Sequence, residues 1–233
     1  MSLIEFKNVT KQYGTGDAVQ LAADHVSFTI DEGEFAVILG PSGAGKTTIL
    51  NLLGGMDTST SGKILVNGED ITDLNDDSLS EYRADHVGFV FQFYNLIPTL
   101  TALENVSLVK SIVKSPIPSE QVLQSVGMAE HMRKFPGQLS GGEQQRVSIA
   151  RAIAKNPTML LCDEPTGALD SETGVSVLTF LQQLSREHNK TVIIVTHNTA
   201  LAEAADKVIR IKNGKIRDIT INKNPLPVSE VSW

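Results

Sequence analysis

Four groups of residues in this sequence have types and spacings suited to phosphate chemistry. The first is Gly40-Pro41-Ser42-Gly43-Ala44-Gly45-Lys46-Thr47-Thr48. Its glycines let consecutive backbone N–H groups converge on phosphate oxygens, and a following helix adds the positive end of its dipole. Lys46 supplies a mobile charge for β- and γ-phosphates, and the Thr47 hydroxyl is placed to ligate Mg²⁺. The second group is Asp163-Glu164, at the end of the apolar run Met159-Leu160-Leu161-Cys162. There Asp163 suits Mg²⁺ coordination, and Glu164 suits the orientation or deprotonation of an attacking water. The third is His197, which follows Val192-Ile193-Ile194-Val195-Thr196 and offers a donor to a γ-phosphate. The fourth is Ser140-Gly141-Gly142-Glu143. Its plain reading is an S-x-x-E capping box at a helix start. Two glycines just inside the cap are poor helix formers, however, and they bare N–H groups at a positive helix end. That makes a second anion-binding feature without a lysine of its own, which suggests that it completes a neighbour's nucleotide site.

These groups need particular elements to hold them. Phe35 to Leu39 is a short unbroken apolar run, the pattern of a buried parallel strand, and Ile49 to Leu53 reads as a helix ending at Gly54-Gly55. Strand, glycine-rich turn and helix together are the setting a P-loop requires. Further buried strands are expected at Val87–Phe91, Thr158–Glu164 and Thr191–Val195, so Gln92, Glu164 and Thr196-His197 all fall at strand C-terminal ends. Ligands of open α/β sheets bind at that end.

Before the P-loop, Ile4 to Val9 reads as an edge strand and His25 to Ile30 as a second strand, joined by a turn-rich loop from Lys11 to Gly16. Tyr13 in that loop has the chemistry to stack on a base. Asn67-Gly68 and Asn213-Gly214 read as hairpin turns, and Asp76 to Ala84 as a short polar helix. Residues 93–157 show no clear strand, several helical patches and breakers at Pro98, Pro116, Pro118 and Pro136; the first helix is expected from Thr101 to Lys114. A longer helix is expected from Ser171 to His188, and the tail 222–233, with Pro225 and Pro227, reads as loose.

The 233 residues suit one α/β domain carrying an inserted subdomain. A net charge of −7 argues against a general nucleic-acid coat, and no nucleic-acid partner is expected. The single cysteine, Cys162, allows no internal disulfide and reads as a small core residue in a reducing cytosol. Neither a membrane span nor a signal peptide is visible, so work at a membrane would need spans from another chain.

In this order, these pieces resemble the nucleotide-binding domain of ATP-binding cassette (ABC) proteins over essentially the whole chain. The resemblance identifies Gly40–Thr48 as Walker A, Gln92 as the Q-loop, Leu139–Glu143 as the signature, Leu160–Asp163 with Glu164 as Walker B, Ala168–Asp170 as the D-loop and His197 as the H-loop. It places Tyr13 where the adenine-stacking aromatic lies. The implied fold is an α/β P-loop NTPase core with a mainly parallel central sheet (1–92 and 158–221), an N-terminal antiparallel β subdomain and an inserted α-helical subdomain (93–157). The implied catalytic residues are Glu164, His197, Gln92 and Lys46; Thr47, Gln92 and Asp163 would hold Mg²⁺. Two ATP molecules would sit between two chains, expected to be identical, with Ser140 and Gly142 of one facing the nucleotide held by Lys46 of the other. Gly54-Gly55-Met56-Asp57, Phe91–Leu96, Thr101–Val106 and Asp163–Asp170 resemble the MacB/LolD branch. That branch works from the inner face of the plasma membrane with a separate FtsX-like permease. It exports lipoprotein, peptide or antibiotic, or transmits mechanical work. The alternative is a regulatory ATPase that controls cell-wall hydrolases through a permease-like partner without transport. A soluble ABC protein of translation or DNA repair fits less well, because one intact cassette is present without sustained heptads or a basic tract.

Overall fold

The computed structural model describes residues 2–14 and 18–232, so Thr15 and Gly16 of the expected loop lie outside the described residues. Ten strands form two sheets among those residues. The first is antiparallel and contains β1 (Ser2–Tyr13), β2 (Gln20–Asp31), β4 (Ser61–Val66) and β5 (Glu69–Asp70), in the order β2-β1-β4-β5. The second contains β3 (Phe35–Leu39), β6 (Val87–Val90), β7 (Met159–Asp163), β8 (Thr191–Thr196), β9 (Lys207–Lys212) and β10 (Lys215–Ile221), in the order β10-β9-β3-β8-β7-β6. Every neighbouring pair in it is parallel except β9 and β10.

The P-loop strand β3 lies inside the second sheet and is buried along its whole length. Its side chains alternate between two cores, as the period of a strand requires. Phe35, Val37 and Leu39 join the core beneath the helices α3 (Ala102–Ser107), α4 (Ser119–Ser125), α5 (Gly141–Ala154) and α6 (Ser171–His188). Ala36 and Ile38 face the core shared with the antiparallel sheet and α1 (Lys46–Leu53). Both Asn-Gly turns form with positive φ at each residue (Asn67 52°, Gly68 82°; Asn213 52°, Gly214 75°), the requirement of a type I′ hairpin. The polar helix α2 spans Asp76–His86, capped by the Asn75 side chain.

Four expectations need correction. β1 is not an edge strand, since β2 and β4 pair with its two sides. It also continues through Lys11 and Gln12, which makes Tyr13 the end of a strand rather than a loop residue. The helix expected over 101–114 stops early: α3 ends at Ser107 and a 3₁₀ turn covers Leu108–Ser111. Thr101 and Glu104 form a good capping box, but Val109 is buried from within the tighter turn and Val113 from the chain just beyond it. The tail is not loose. Val228 is fully buried and its N–H donates to Gln182 Oε1, while Gln182 Nε2 donates to the carbonyls of Ala204 and Leu226. A buried amide on α6 therefore gives the tail's backbone the partners it needs.

Candidate functional site: a phosphate cleft and a separate glycine corner

The P-loop forms because glycine occupies the positions whose backbone is left-handed or closely approached. Gly43 and Gly45 have φ of 75° and 101°, and a Cβ at Gly45 would lie 2.0 Å from the Ala22 carbonyl oxygen of β2. Gly214 buttresses the loop from behind. Its N–H donates to Ala44 O at 2.9 Å, and its carbonyl accepts from Asp24 N at 2.8 Å. Lys46 opens α1 from a buried position, its ammonium within 2.8 Å of Gly40 O and 3.1 Å of Pro41 O.

A cavity of about 860 Å³ opens in front of this loop. Pro41 to Thr48 line it together with Tyr13, Gln92, Asp163, Glu164 and His197. The topology accounts for the convergence, because β3, β6, β7 and β8 run parallel and deliver their C-terminal residues to one rim. Gly40 lies behind the lining, packed against Ile211 O and Ala44. Gln20, Ala22 and Gly167 also line the cavity, and none of the three was among the site residues expected from the sequence. At Gly167 a Cβ would stand 2.9 Å from Gln92 Nε2, so any larger residue there would shift the end of the Gln92 side chain.

Thr47 Oγ1 and Asp163 Oδ1 lie 3.3 Å apart. Burial raises the Asp163 carboxyl above its usual range and Glu164 adds to this; the Thr47 hydroxyl and Lys46 oppose it. An oxygen-only set at a half-buried carboxylate suits Mg²⁺, which takes few protein ligands and keeps several waters. Neighbouring Cys162 is fully buried, and burial pushes its thiol far up, as expected of a core residue.

Glu164 sits in the left-handed region with φ 45°, a strained conformation for a non-glycine residue. Its carboxylate is held firmly. Oε1 accepts from His197 N at 3.1 Å and lies 2.9 Å from His197 Nδ1, while Oε2 accepts from Thr196 Oγ1 at 2.9 Å. Asn198 N in turn donates to Thr196 Oγ1. Sequence reasoning missed Thr196 as a partner of Glu164. The signal lay in register, since Asp163 pairs with Val195 and the residues after each must also meet.

Tyr13 is anchored as well. Its hydroxyl donates to Asp57 Oδ2 at 2.6 Å, and Lys11 Nζ lies 4.9 Å from its ring centroid. Partial burial and the Asp57 carboxylate raise the Tyr13 phenol, so it remains a donor. Burial works against ionisation of Asp57, yet hydrogen bonds from Lys11 and Tyr13 hold its pKa below the ordinary value.

The glycine corner lies apart from this cleft, and none of Ser140, Gly141, Gly142 and Glu143 lines it. Ser140 Oγ accepts from Glu143 N at 3.3 Å and Ser140 N donates to Glu143 Oε2 at 2.7 Å, the capping box read from the sequence. Glu143 Oε1 also lies 3.2 Å from His131 Nε2. A Cβ on Gly142 would stand 2.1 Å from Thr173 Cγ2, and one on Gly141 would stand 2.8 Å from the Tyr94 hydroxyl. Asp170 caps α6 through Thr173 N at 3.0 Å and holds Thr173 Oγ1 at 2.7 Å. It thereby fixes the residue that packs on Gly142.

Gln145, fully buried on α5, joins the two regions. Its Nε2 donates to Pro165 O at 2.8 Å and to Phe91 O at 3.3 Å, tying α5 to the turns that follow Glu164 and precede Gln92. Sequence reasoning did not single it out.

The ABC transporter family model matches residues 23–167, well over half of the chain. An uncharacterised ABC transporter ATP-binding protein of Methanocaldococcus jannaschii, MJ0796, is 45% identical over 223 residues, covering 92% of this chain and 95% of the relative. The macrolide export ATP-binding/permease protein MacB of Mannheimia succiniciproducens is 42% identical over 97% of this chain but 36% of its own length. A Mycoplasma pneumoniae relative, a putative ABC transporter ATP-binding protein, is 43% identical over 99% of this chain, which spans only 50% of its length. Among solved structures, the dimeric post-hydrolysis cassette MJ0796 bound to ADP and Pi has TM-score 0.86 at 41% identity, covering 95% of this chain and 99% of the other. Among the described residues no helix is long and apolar enough to cross a membrane. With the fold, the phosphate cleft and these likenesses in agreement, the chain belongs to the ABC transporter family as an ATP-binding cassette.

Proposed function

We propose that this cassette hydrolyses ATP in a head-to-tail dimer and drives a separate FtsX-like permease from the inner face of the membrane. The observation that carries the hydrolytic reading is the Glu164 carboxylate, held by Thr196 and His197 on the same cavity wall as Lys46, Thr47 and Asp163.

Lys46 and the P-loop N–H groups from Ser42 to Thr48 would bind the phosphates, and Tyr13 would stack on the base. Thr47, Asp163 and Gln92 would hold Mg²⁺, which when bound neutralises charge on the β- and γ-phosphates. Glu164 would orient and deprotonate the attacking water, with His197 donating to the γ-phosphate. Phosphoryl transfer asks for little covalent chemistry, so placement and charge account for most of the rate. The glycine corner supports the dimer. Its N–H groups at Gly141 and Gly142 begin a helix away from this chain's own cleft, where Ser140 to Glu143 would meet a second chain's γ-phosphate. The dimeric relative bound to ADP and Pi supports the same arrangement. Support for the permease is the MacB relative, whose name joins an ATP-binding part to a permease in one chain.

The test is a pull-down of tagged Glu164→Gln from membranes with ATP and Mg²⁺. A permease with few spans and a large extracytoplasmic domain is the expected partner. A many-span permease would overturn the FtsX-like part, and recovery of soluble partners alone would overturn the membrane role.

A further inference from the structure

Lys11, Tyr13 and Asp57 form a hydrogen-bonded cluster at the edge of the phosphate cleft, and of the three only Tyr13 lines the cavity. Asp57 lies in the loop after α1, three residues beyond the helix C-cap Gly54, and Tyr13 ends β1. Asp57 is the hub. Its Oδ2 accepts from the Tyr13 hydroxyl at 2.6 Å, and its Oδ1 accepts from Lys11 Nζ at 2.6 Å and from Thr58 N at 2.8 Å. Lys11 Nζ also donates to Thr58 O at 2.8 Å, which fixes the ammonium in place over the Tyr13 ring, 4.9 Å from its centroid. The ring is thus constrained in three ways: its hydroxyl is tethered, one face is covered by a cation, and its backbone is paired in β1.

Yet Tyr13 remains 42% exposed and lines the cavity in front of the P-loop. An aromatic ring held this way, with one face already occupied, leaves its exposed remainder to a planar group entering the cavity. Immobilising the ring before the ligand arrives removes an ordering cost that binding would otherwise carry.

We propose that Asp57 is a positioning residue for nucleobase recognition, locking Tyr13 through its hydroxyl and through Lys11 so that the ring is preset as a stacking platform. The inference rests on the reading of Tyr13 as the base-stacking aromatic. The Tyr13 hydroxyl also meets the Thr48 side chain, but the hydrogen bonds of Asp57 itself run to Lys11, Tyr13 and Thr58, so its loss is expected to act on ligands that carry a base.

The test compares ADP with pyrophosphate, both with Mg²⁺, by titration calorimetry on the full chain. Asp57→Ala is expected to weaken ADP about 3- to 10-fold, the worth of one preordered side chain, and to leave pyrophosphate unchanged. Asp57→Asn keeps an acceptor oxygen for the Tyr13 hydroxyl and is expected to fall between that variant and the parent. Lys11→Gln serves as an independent variant if Asp57→Ala fails to fold, with the same selective loss expected. Tyr13→Ala is expected to lose more ADP affinity than either, and adding Asp57→Ala to it should cost nothing further. Equal weakening of ADP and pyrophosphate in Asp57→Ala, or a further loss in the double variant, would overturn the positioning role. If Tyr13→Ala itself leaves the preference for ADP over pyrophosphate intact, the base-stacking reading fails first and the proposal falls with it.

Discussion

The phosphate cleft and the glycine corner are both built from glycines at a helix N-terminus, but they are finished differently. At the cleft the P-loop and Glu164 have neighbours that aim them: Gly214 and Ala22 press on the P-loop, and Thr196 and His197 grip Glu164. At the corner the side chains of Ser140 and Glu143 each accept from the other's backbone N–H, while Thr173 and Tyr94 crowd the glycines from behind. The cleft brings together lysine, hydroxyl, carboxylates and histidine. The corner offers backbone donors and a closely packed base for them. On the proposed reading, the first region carries the chemistry and the second completes a site that another chain brings.

The strongest way to break this comparison is Glu164→Gln. We expect ATP turnover to fall about 10²- to 10⁴-fold while ATP binding is kept, and an ATP-bound dimer to accumulate on gel filtration. Near-normal turnover would remove Glu164 from the catalytic role. Next is a mixing experiment with Lys46→Ala and Gly142→Ala, each expected to be nearly inactive alone. Equimolar mixing should restore ATPase activity, since a mixed dimer keeps one site with an intact Lys46 and an intact glycine corner. No recovery would separate the two regions.

A smaller effect sharpens the cleft side. Thr196→Val removes the hydroxyl that donates to Glu164 Oε2, a charge-assisted hydrogen bond worth about 1.5–3 kcal/mol where it is shielded from water. We expect turnover to drop about tenfold with nucleotide affinity unchanged, read from single-turnover rates beside equilibrium binding. A matching loss of affinity would make Thr196 a structural residue instead.

The smallest effect concerns the far end of α5, where Lys155 Nζ donates to the carbonyls of Arg83 and Val87. Burial pushes its pKa down to about 8 from an ordinary 10.5. Between those values the unfolded chain holds a proton that the folded chain has released, so this group's contribution to stability rises with pH. Thermal melts should show the parent gaining on Lys155→Met from about pH 8 to pH 10, and a constant difference would contradict that linkage.

Much of the cleft was legible because its residues follow a local rule. Glycine spacing before Lys46 and carboxylates after an apolar strand are patterns within about a dozen residues. The parallel strands β3, β6, β7 and β8 were legible for the same reason, as apolar runs, whereas β9, parallel to β3, read only as one arm of a hairpin. Adjacency was not legible. The alternation of Ile4, Phe6 and Val9 marks a half-buried strand but not how many neighbours it has, so β1 looked like an edge. Thr196 and Gln145 act across 32 and 20 residues of sequence, and a buried glutamine on a helix has the same letter as a solvated one. The tail misled for a related reason, since its prolines signalled breaks while its partner, Gln182, sits on α6.

The placement of β3 between β8 and β9 has a consequence for biosynthesis. Both strands that flank the P-loop strand, and the Gly214 hairpin that closes behind it, come from the last third of the chain. A ribosome that has released only the first half of the protein has exposed Lys46 and Thr47 without the walls that shape their loop. The emerging chain therefore acquires its phosphate cradle late, and until then the apolar run of β3 is a segment for chaperones to shield.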